Sequence, residues 1–123
     1  MCPWPVPAGF PSPAADYACK RIDLNEHLIR NKEATFVFKV KGDSMIEAGI
    51  FDGDLAVVER SSKAKTGDFV IANVDNEFTL KELVREKGQY ALKPHNQKYP
   101  LIQPQGSLQV IGILVDLVRR YKT

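Results

Sequence analysis

Histidine and cysteine are scarce in this chain, two of each among 123 residues, and their placement excludes most metal chemistry. His27 and His95 each stand alone without a partner at ligand spacing, and Cys2 and Cys19 form no C-x-x-C pair. A structural zinc or an HExxH-type site is therefore not expected, and no metal or cofactor is called for. Both cysteines lie in the proline-rich beginning rather than bracketing a core, which implies no disulfide framework and a reducing, cytoplasmic setting. The eight glycines are scattered at turns, so no glycine-rich phosphate loop is present. An excess of one charge is missing too. Lys+Arg 17 against Asp+Glu 15 leaves +2, which makes no electrostatic case for nucleic acid or a membrane surface. Arg119, Arg120 and Lys122 read most simply as a solvated tail. No apolar run approaches the ~20 residues needed to span a bilayer. The longest, VIGILVDLV (110–118), is broken by Asp116 and suits a strand at a core or subunit interface. No basic region followed by an apolar stretch opens the chain, so a signal peptide is not expected.

What is present is 44% hydrophobic and 26% charged residues, ordinary values for a globular domain that buries a real core. Five of the eight prolines fall in the first 13 residues, MCPWPVPAGFPSP. Proline lacks the N–H and fixes φ, so residues 1 to about 20 read as an extended, mobile arm. IDLNEHLIR (22–30) is expected to form a turn or two of helix or a connector. Residues 1–34 are thus read as arm and connector, and 35–123 as the folded domain. From Thr35 the pattern is that of strands. TFVFKVK alternates, with Phe36, Phe38 and Val40 on one face. DLAVVE and DFVIANV are short, β-branched and bounded by Asp/Gly turns. Asp75-Asn76 and Lys87-Gly88 look like hairpin turns. LQVIGILVDLVRR makes the last strand or strands, with Gly112 at a bulge or bend. Only SMIEAG (44–49) looks helical, ended by Gly49. About six short strands with little helix predict a mostly β, compact, mainly antiparallel barrel or sandwich.

Candidate chemistry centres on Ser44, in GDSM where a strand stops and a turn begins. Most such serines are turn residues or helix caps. A Ser-His-Asp arrangement with His27 or His95 is possible on paper, but no triad-type signature surrounds Ser44. A neutral lysine can also take the serine proton, provided that it is desolvated. Lys41, Lys63, Lys65, Lys87, Lys93 and Lys98 all sit at strand ends or in polar loops. Lys81 differs: in EFTLKELV it is mid-strand between Leu80 and Leu83. From composition alone a solvent-facing strand lysine paired with Glu77 or Glu82 is the simpler account, and both readings stay open.

GDSM followed by DGDL, a lysine 37 positions after the serine, and the loop LKPHNQKYP resemble the LexA-like Ser/Lys self-cleaving peptidases. AGFPSPAADY, RIDLN, GDSMIEAGIFDGDL and VDNEFTLKEL are similar to the UmuD branch, and the resemblance covers nearly the whole chain from Ala8. It implies Ser44 as nucleophile and Lys81 as general base. The backbone N–H groups of Ser44 and Met45 would then hold the oxyanion, and the cut would fall in the chain's own arm at Ala8-Gly9. It further implies an SOS-mutagenesis protein stimulated by a RecA–single-stranded DNA filament. Its shortened homodimer would join a UmuC-like Y-family subunit as an error-prone translesion polymerase. Eight residues before the cut is a shorter leader than the family carries, and Pro3, Pro5 and Pro7 lack N–H groups for β-type docking. The expectation is therefore a different binding mode, inefficient cleavage or a start upstream of Met1. With no DNA-binding domain expected, a LexA-type repressor is set aside. Two other readings remain: a non-catalytic polymerase-regulating subunit of the same fold, and a signal-peptidase-like Ser/Lys protease, against which the lack of a membrane segment speaks.

Overall fold

The computed structural model describes residues 9, 34–61, 63–104 and 108–122. The chain divides into two compact units, Met1–Arg30 and Asn31–Thr123. Of the first, only Gly9 is described, an exposed bend. Cys2, Ala8, Cys19, His27 and the expected helix at 22–30 lie outside the described residues.

The second unit carries one six-stranded sheet: β1 (Thr35–Lys39), β2 (Leu55–Arg60), β3 (Phe69–Val74), β4 (Glu77–Glu86), β5 (Gln89–Lys93) and β6 (Leu108–Val118). The spatial order is β1-β2-β6-β3-β4-β5, and every pairing is antiparallel. The fold is thus mostly β with almost no helix, as the short β-branched runs imply. Asp75 and Asn76 take φ of 50° and 70°, the left-handed pair that a two-residue hairpin needs to match strand twist. The last apolar run forms one long central strand, β6, inserted between β2 and β3. Its register slips twice, the partner stepping from Asp116 to Leu114 against β2 and from Gly112 to Val110 against β3. Gly112 lies between these irregularities. A Cβ there would stand 2.6 Å from both the Glu59 carbonyl oxygen and Val58 Cγ1, so only glycine lets β2 approach this closely.

Both faces of the sheet are covered. Val70, Ala72, Leu83 and Leu92 form one buried cluster, and Ala56, Val58 and Ile71 form the other, joined by Phe38, Val40 and Leu80. Because adjacent residues of β3 belong to different clusters, the sheet is sandwiched between two small cores.

The C-terminal basic residues are not simply a solvated tail. Arg119 donates to both carboxylate oxygens of buried Asp54, 2.7 Å from Nε and 2.7 Å from a terminal nitrogen. It also donates to the Gly49 carbonyl at 2.6 Å and stacks 4.4 Å from the Phe51 ring centre. A buried carboxylate needs such a partner, and composition could not name it. The guanidinium holds the Asp54 carboxyl below its ordinary value, helped by the Phe51 N–H.

Candidate active site

Residues 43–49 leave β1 through a turn. The expected helix shrinks to a single 3-10 turn, Ile46–Ala48, closed by Gly49 in the left-handed conformation at φ 80°. Ser44 sits just before it, half-buried, while the Met45 side chain packs inward. Among the described residues, neither the Ser44 nor the Met45 backbone N–H donates to a protein acceptor. Met45 is the N-cap of the turn and Ser44 the residue before it, the end at which a helical turn leaves N–H groups without intrahelical partners.

Lys81 lies on β4, opposite Val70 of β3. It is 8% exposed, which contradicts the solvent-facing alternative. Glu82 turns to His95 instead, and Lys81 makes no ion pair among the described residues. Its Nζ stands 3.0 Å from Ser44 Oγ, 2.6 Å from Thr79 Oγ1 and 3.1 Å from the Leu80 carbonyl oxygen. Burial pushes this amine below the usual lysine value, since desolvation penalises the charged form.

Thr79 escaped the reading of the sequence, although Thr79 and Lys81 are two apart and so share a strand face. The loop KPHNQKYP also does more than its composition discloses. The His95 N–H donates to the Ser44 carbonyl at 2.9 Å, and the His95 carbonyl accepts from the Glu47 N–H at 2.8 Å. Asn96 Nδ2 donates to the Asp43 carbonyl at 2.8 Å, and the Tyr99 hydroxyl donates to Asp43 Oδ1 at 2.6 Å. That bond and the carboxylate charge push the Tyr99 phenol above its ordinary value. The His95 ring is not directed at Ser44: its Nε2 lies 2.6 Å from Glu82 Oε1.

Two clefts meet at the Ser44–Lys81 pair. One, of about 180 Å³, is lined chiefly by Phe38, Val40, Ile71, Phe78 and Leu80. The other, of about 300 Å³, is bounded by Asp43, Tyr99, Pro100 and Ile102. Strand edges wall the first: among the described residues, Phe38 and Lys39 of β1 pair only with β2, and residues 77–81 of β4 pair only with β3. No group of three or more His, Cys, Asp or Glu able to hold a metal occurs among the described residues. No helix among them is long and apolar enough to cross a membrane.

Residues 4–115 match the family model described as Peptidase S24-like. The chain belongs to the Peptidase S24-like family. This family membership covers the described sheet up to Val115 and the whole Ser44–Lys81 cleft. Among curated S24-like relatives, protein SamA of Salmonella typhimurium is 45% identical over 117 residues, 95% of this chain and 82% of SamA. Protein ImpA of Escherichia coli is 40% identical over 115 residues, 92% of this chain and 78% of ImpA. The LexA repressor of Clostridium novyi is 38% identical over 117 residues, 94% of this chain but 57% of the repressor. The resemblance to LexA-like peptidases on the UmuD side therefore holds.

Proposed function

We propose that this S24-like chain is a UmuD-like self-processing serine peptidase whose substrate is its own N-terminal arm. The observation that carries the proposal is the buried Lys81 amine, 3.0 Å from Ser44 Oγ and without an ion pair among the described residues. Ser44 is the nucleophile and Lys81 the general base. Ser44 Oγ attacks the Ala8 carbonyl carbon while its proton passes to Lys81 Nζ. The oxyanion is held by the Ser44 and Met45 N–H groups, which have no acceptor to give up among the described residues. Collapse breaks the Ala8–Gly9 bond, and the Gly9 amine leaves with the proton from Lys81. Water, deprotonated by the same amine, then hydrolyses the ester and restores Ser44. Residues 1–34 are the arm and connector, and 35–123 the catalytic domain. An extended segment suits a cleft walled by strand edges that are open among the described residues at Phe38, Lys39 and residues 77–81, because such edges offer main-chain hydrogen bonds to an added strand. Tethering supplies a high effective concentration, so a modest catalyst suffices for its own chain.

The cellular reading follows the family. The chain acts in the SOS response in the cytoplasm, and its cleavage is stimulated by a RecA–single-stranded DNA filament. The shortened homodimer joins a UmuC-like Y-family polymerase subunit for translesion synthesis, without sequence-specific DNA binding of its own.

The test is intact mass after incubation at alkaline pH, and separately with activated RecA filament. Wild type should lose its first eight residues under both conditions, while Ser44→Ala and Lys81→Ala keep them. A mass unchanged at every pH and with filament would overturn the peptidase reading in favour of a purely regulatory subunit. Cleavage of unrelated peptides with an intact arm would point to a signal-peptidase-like protease instead.

A further inference from the structure

The turn that carries Ser44 has few attachments. Apart from the contact with Lys81 itself, every hydrogen bond that leaves residues 43–47 for another part of the fold goes to residues 95–99, among the described residues. These are the bonds of Ser44 and Glu47 to the His95 backbone, of Asp43 to Asn96 and Tyr99, and of Glu47 to the Gln97 N–H. The nucleophile's position is therefore inherited from this loop. Residues 95–99 make one hydrogen bond to the sheet among the described residues, His95 Nε2 to Glu82 Oε1 at 2.6 Å, and the chain on either side is closed by the backbone pair Leu92–Ile102. Glu82 is the residue next to Lys81. The His95 ring also meets Phe69 of β3 edge-on, with centroids 5.1 Å apart and planes at 70°.

We propose that His95 and Glu82 are positioning residues that set the distance between Ser44 and Lys81. This rests on the reading of Ser44 and Lys81 as nucleophile and base. The contacts run in a closed circuit: Lys81, Glu82, the His95 ring, the His95 backbone, Ser44, and back to Lys81. The circuit fixes the serine against the lysine without relying on their own hydrogen bond, which must break and re-form during each proton transfer. A neutral imidazole has one N–H. The contact with the Glu82 carboxylate places it on Nε2 and leaves Nδ1 as the acceptor. The pair then needs a donor at the Nε2 position, not a charge, and glutamine reaches that position with its own Nε2 while asparagine does not.

The experiment measures the first-order rate of self-cleavage by intact mass across alkaline pH, with Tm recorded for each full-length variant. His95→Phe keeps a ring against Phe69 but removes the donor. His95→Asn shortens the donor, His95→Gln restores it, and Glu82→Ala removes the acceptor. The plateau rate should fall on the order of ten- to a hundredfold in His95→Phe, His95→Asn and Glu82→Ala, as expected for reacting atoms displaced by a fraction of an ångström. His95→Gln should stay within about threefold of wild type, because the hydrogen bond is kept. In the His95 variants the pH at which the rate levels off should move little, since Thr79 Oγ1 and the Leu80 carbonyl oxygen still contact Lys81 Nζ. His95→Phe combined with Glu82→Ala should be no slower than the slower single variant. Wild-type rates in His95→Phe, or a His95→Gln variant as slow as His95→Phe at equal Tm, would overturn the proposal. Failure of wild type itself to cleave would instead overturn the functional reading on which it rests.

Discussion

The sharpest consequence of the Lys81 geometry is the shape of the pH–rate profile. Three oxygens surround Nζ within 3.1 Å: Ser44 Oγ, Thr79 Oγ1 and the Leu80 carbonyl oxygen. An ammonium has three N–H groups and no lone pair, so it can donate to all three but accept from none. A neutral amine has two N–H groups and one lone pair. The Leu80 carbonyl can only accept, so it takes one N–H, and Thr79 at 2.6 Å takes the second. The lone pair is left for the Ser44 hydroxyl, which is the arrangement that proton removal requires. In the proposed mechanism only the neutral fraction acts, and it grows about tenfold per pH unit below the amine's pKa. The rate of self-cleavage should therefore climb with a slope of one and level off below ~10.4, the ordinary lysine value, because burial lowers that of Lys81. Folding linkage points the same way. The unfolded chain binds this proton more tightly than the folded one, so stability rises with pH from Lys81's folded pKa up to the unfolded value near ~10.4. Alkaline incubation thus activates the site without unfolding the protein through this lysine. The assay is intact mass against time at fixed intervals of pH, with Ser44→Ala as the blank. Lys81→Arg, which cannot deprotonate, should be inert throughout. A rate independent of pH, a plateau near ~6.5 where an ordinary imidazole titrates, or cleavage by Lys81→Arg would refute the argument.

Three further outcomes follow from individual contacts. Thr79→Val removes an oxygen that the ammonium uses more than the amine does, so the profile should shift to lower pH while its plateau falls; a plateau at the wild-type level would show that Thr79 does not orient Nζ. Gly112→Ala places a methyl group 2.6 Å from the Glu59 carbonyl oxygen, and overpacking of this kind costs about 1–3 kcal/mol. Thermal unfolding should register ~4–8 °C per kcal/mol for a domain of this size. Arg119→Met strands the Asp54 carboxylate and should lower Tm at neutral pH. The Asp54 carboxyl is depressed in the folded state, so its contribution is present above the unfolded value near ~3.9 and is lost as pH falls through the folded one. The Tm gap between Arg119→Met and wild type should accordingly narrow in acid.

The strands were legible because β-branched runs end at Asp/Gly turns, a signal that is local. Their order was not, because β6 pairs with both β2 and β3 through contacts far apart in the chain. Lys81 illustrates the limit well. Its strand was plain, but its burial was not, because a half-exposed sheet would leave such a lysine in water. Here both faces of β4 are covered, Leu83 packing into one core and Leu80 against the other. Lys81 shares its face with Leu83 and is 8% exposed, whereas Phe78, on the Leu80 face, is 64% exposed. His95 was weighed as a catalytic imidazole on residue type alone. Loop conformation, which no periodicity encodes, brings its backbone to Ser44 and its ring to Glu82.

The edges of β1 at Phe38 and Lys39 and of β4 at residues 77–81, open among the described residues, also bear on solubility. An unpaired edge accepts any extended chain, including the edge of a neighbouring molecule, and is a starting point for aggregation. Lys39 and Lys41 project, exposed, at the cleft end of β1. When two copies approach through this edge, like charges meet first. Residues 1–19 carry no Lys or Arg side chain, so a segment of that composition meets no such repulsion. A growing stack of molecules bears it at every added layer. The edge can thus remain open to one strand while it resists assembly into many.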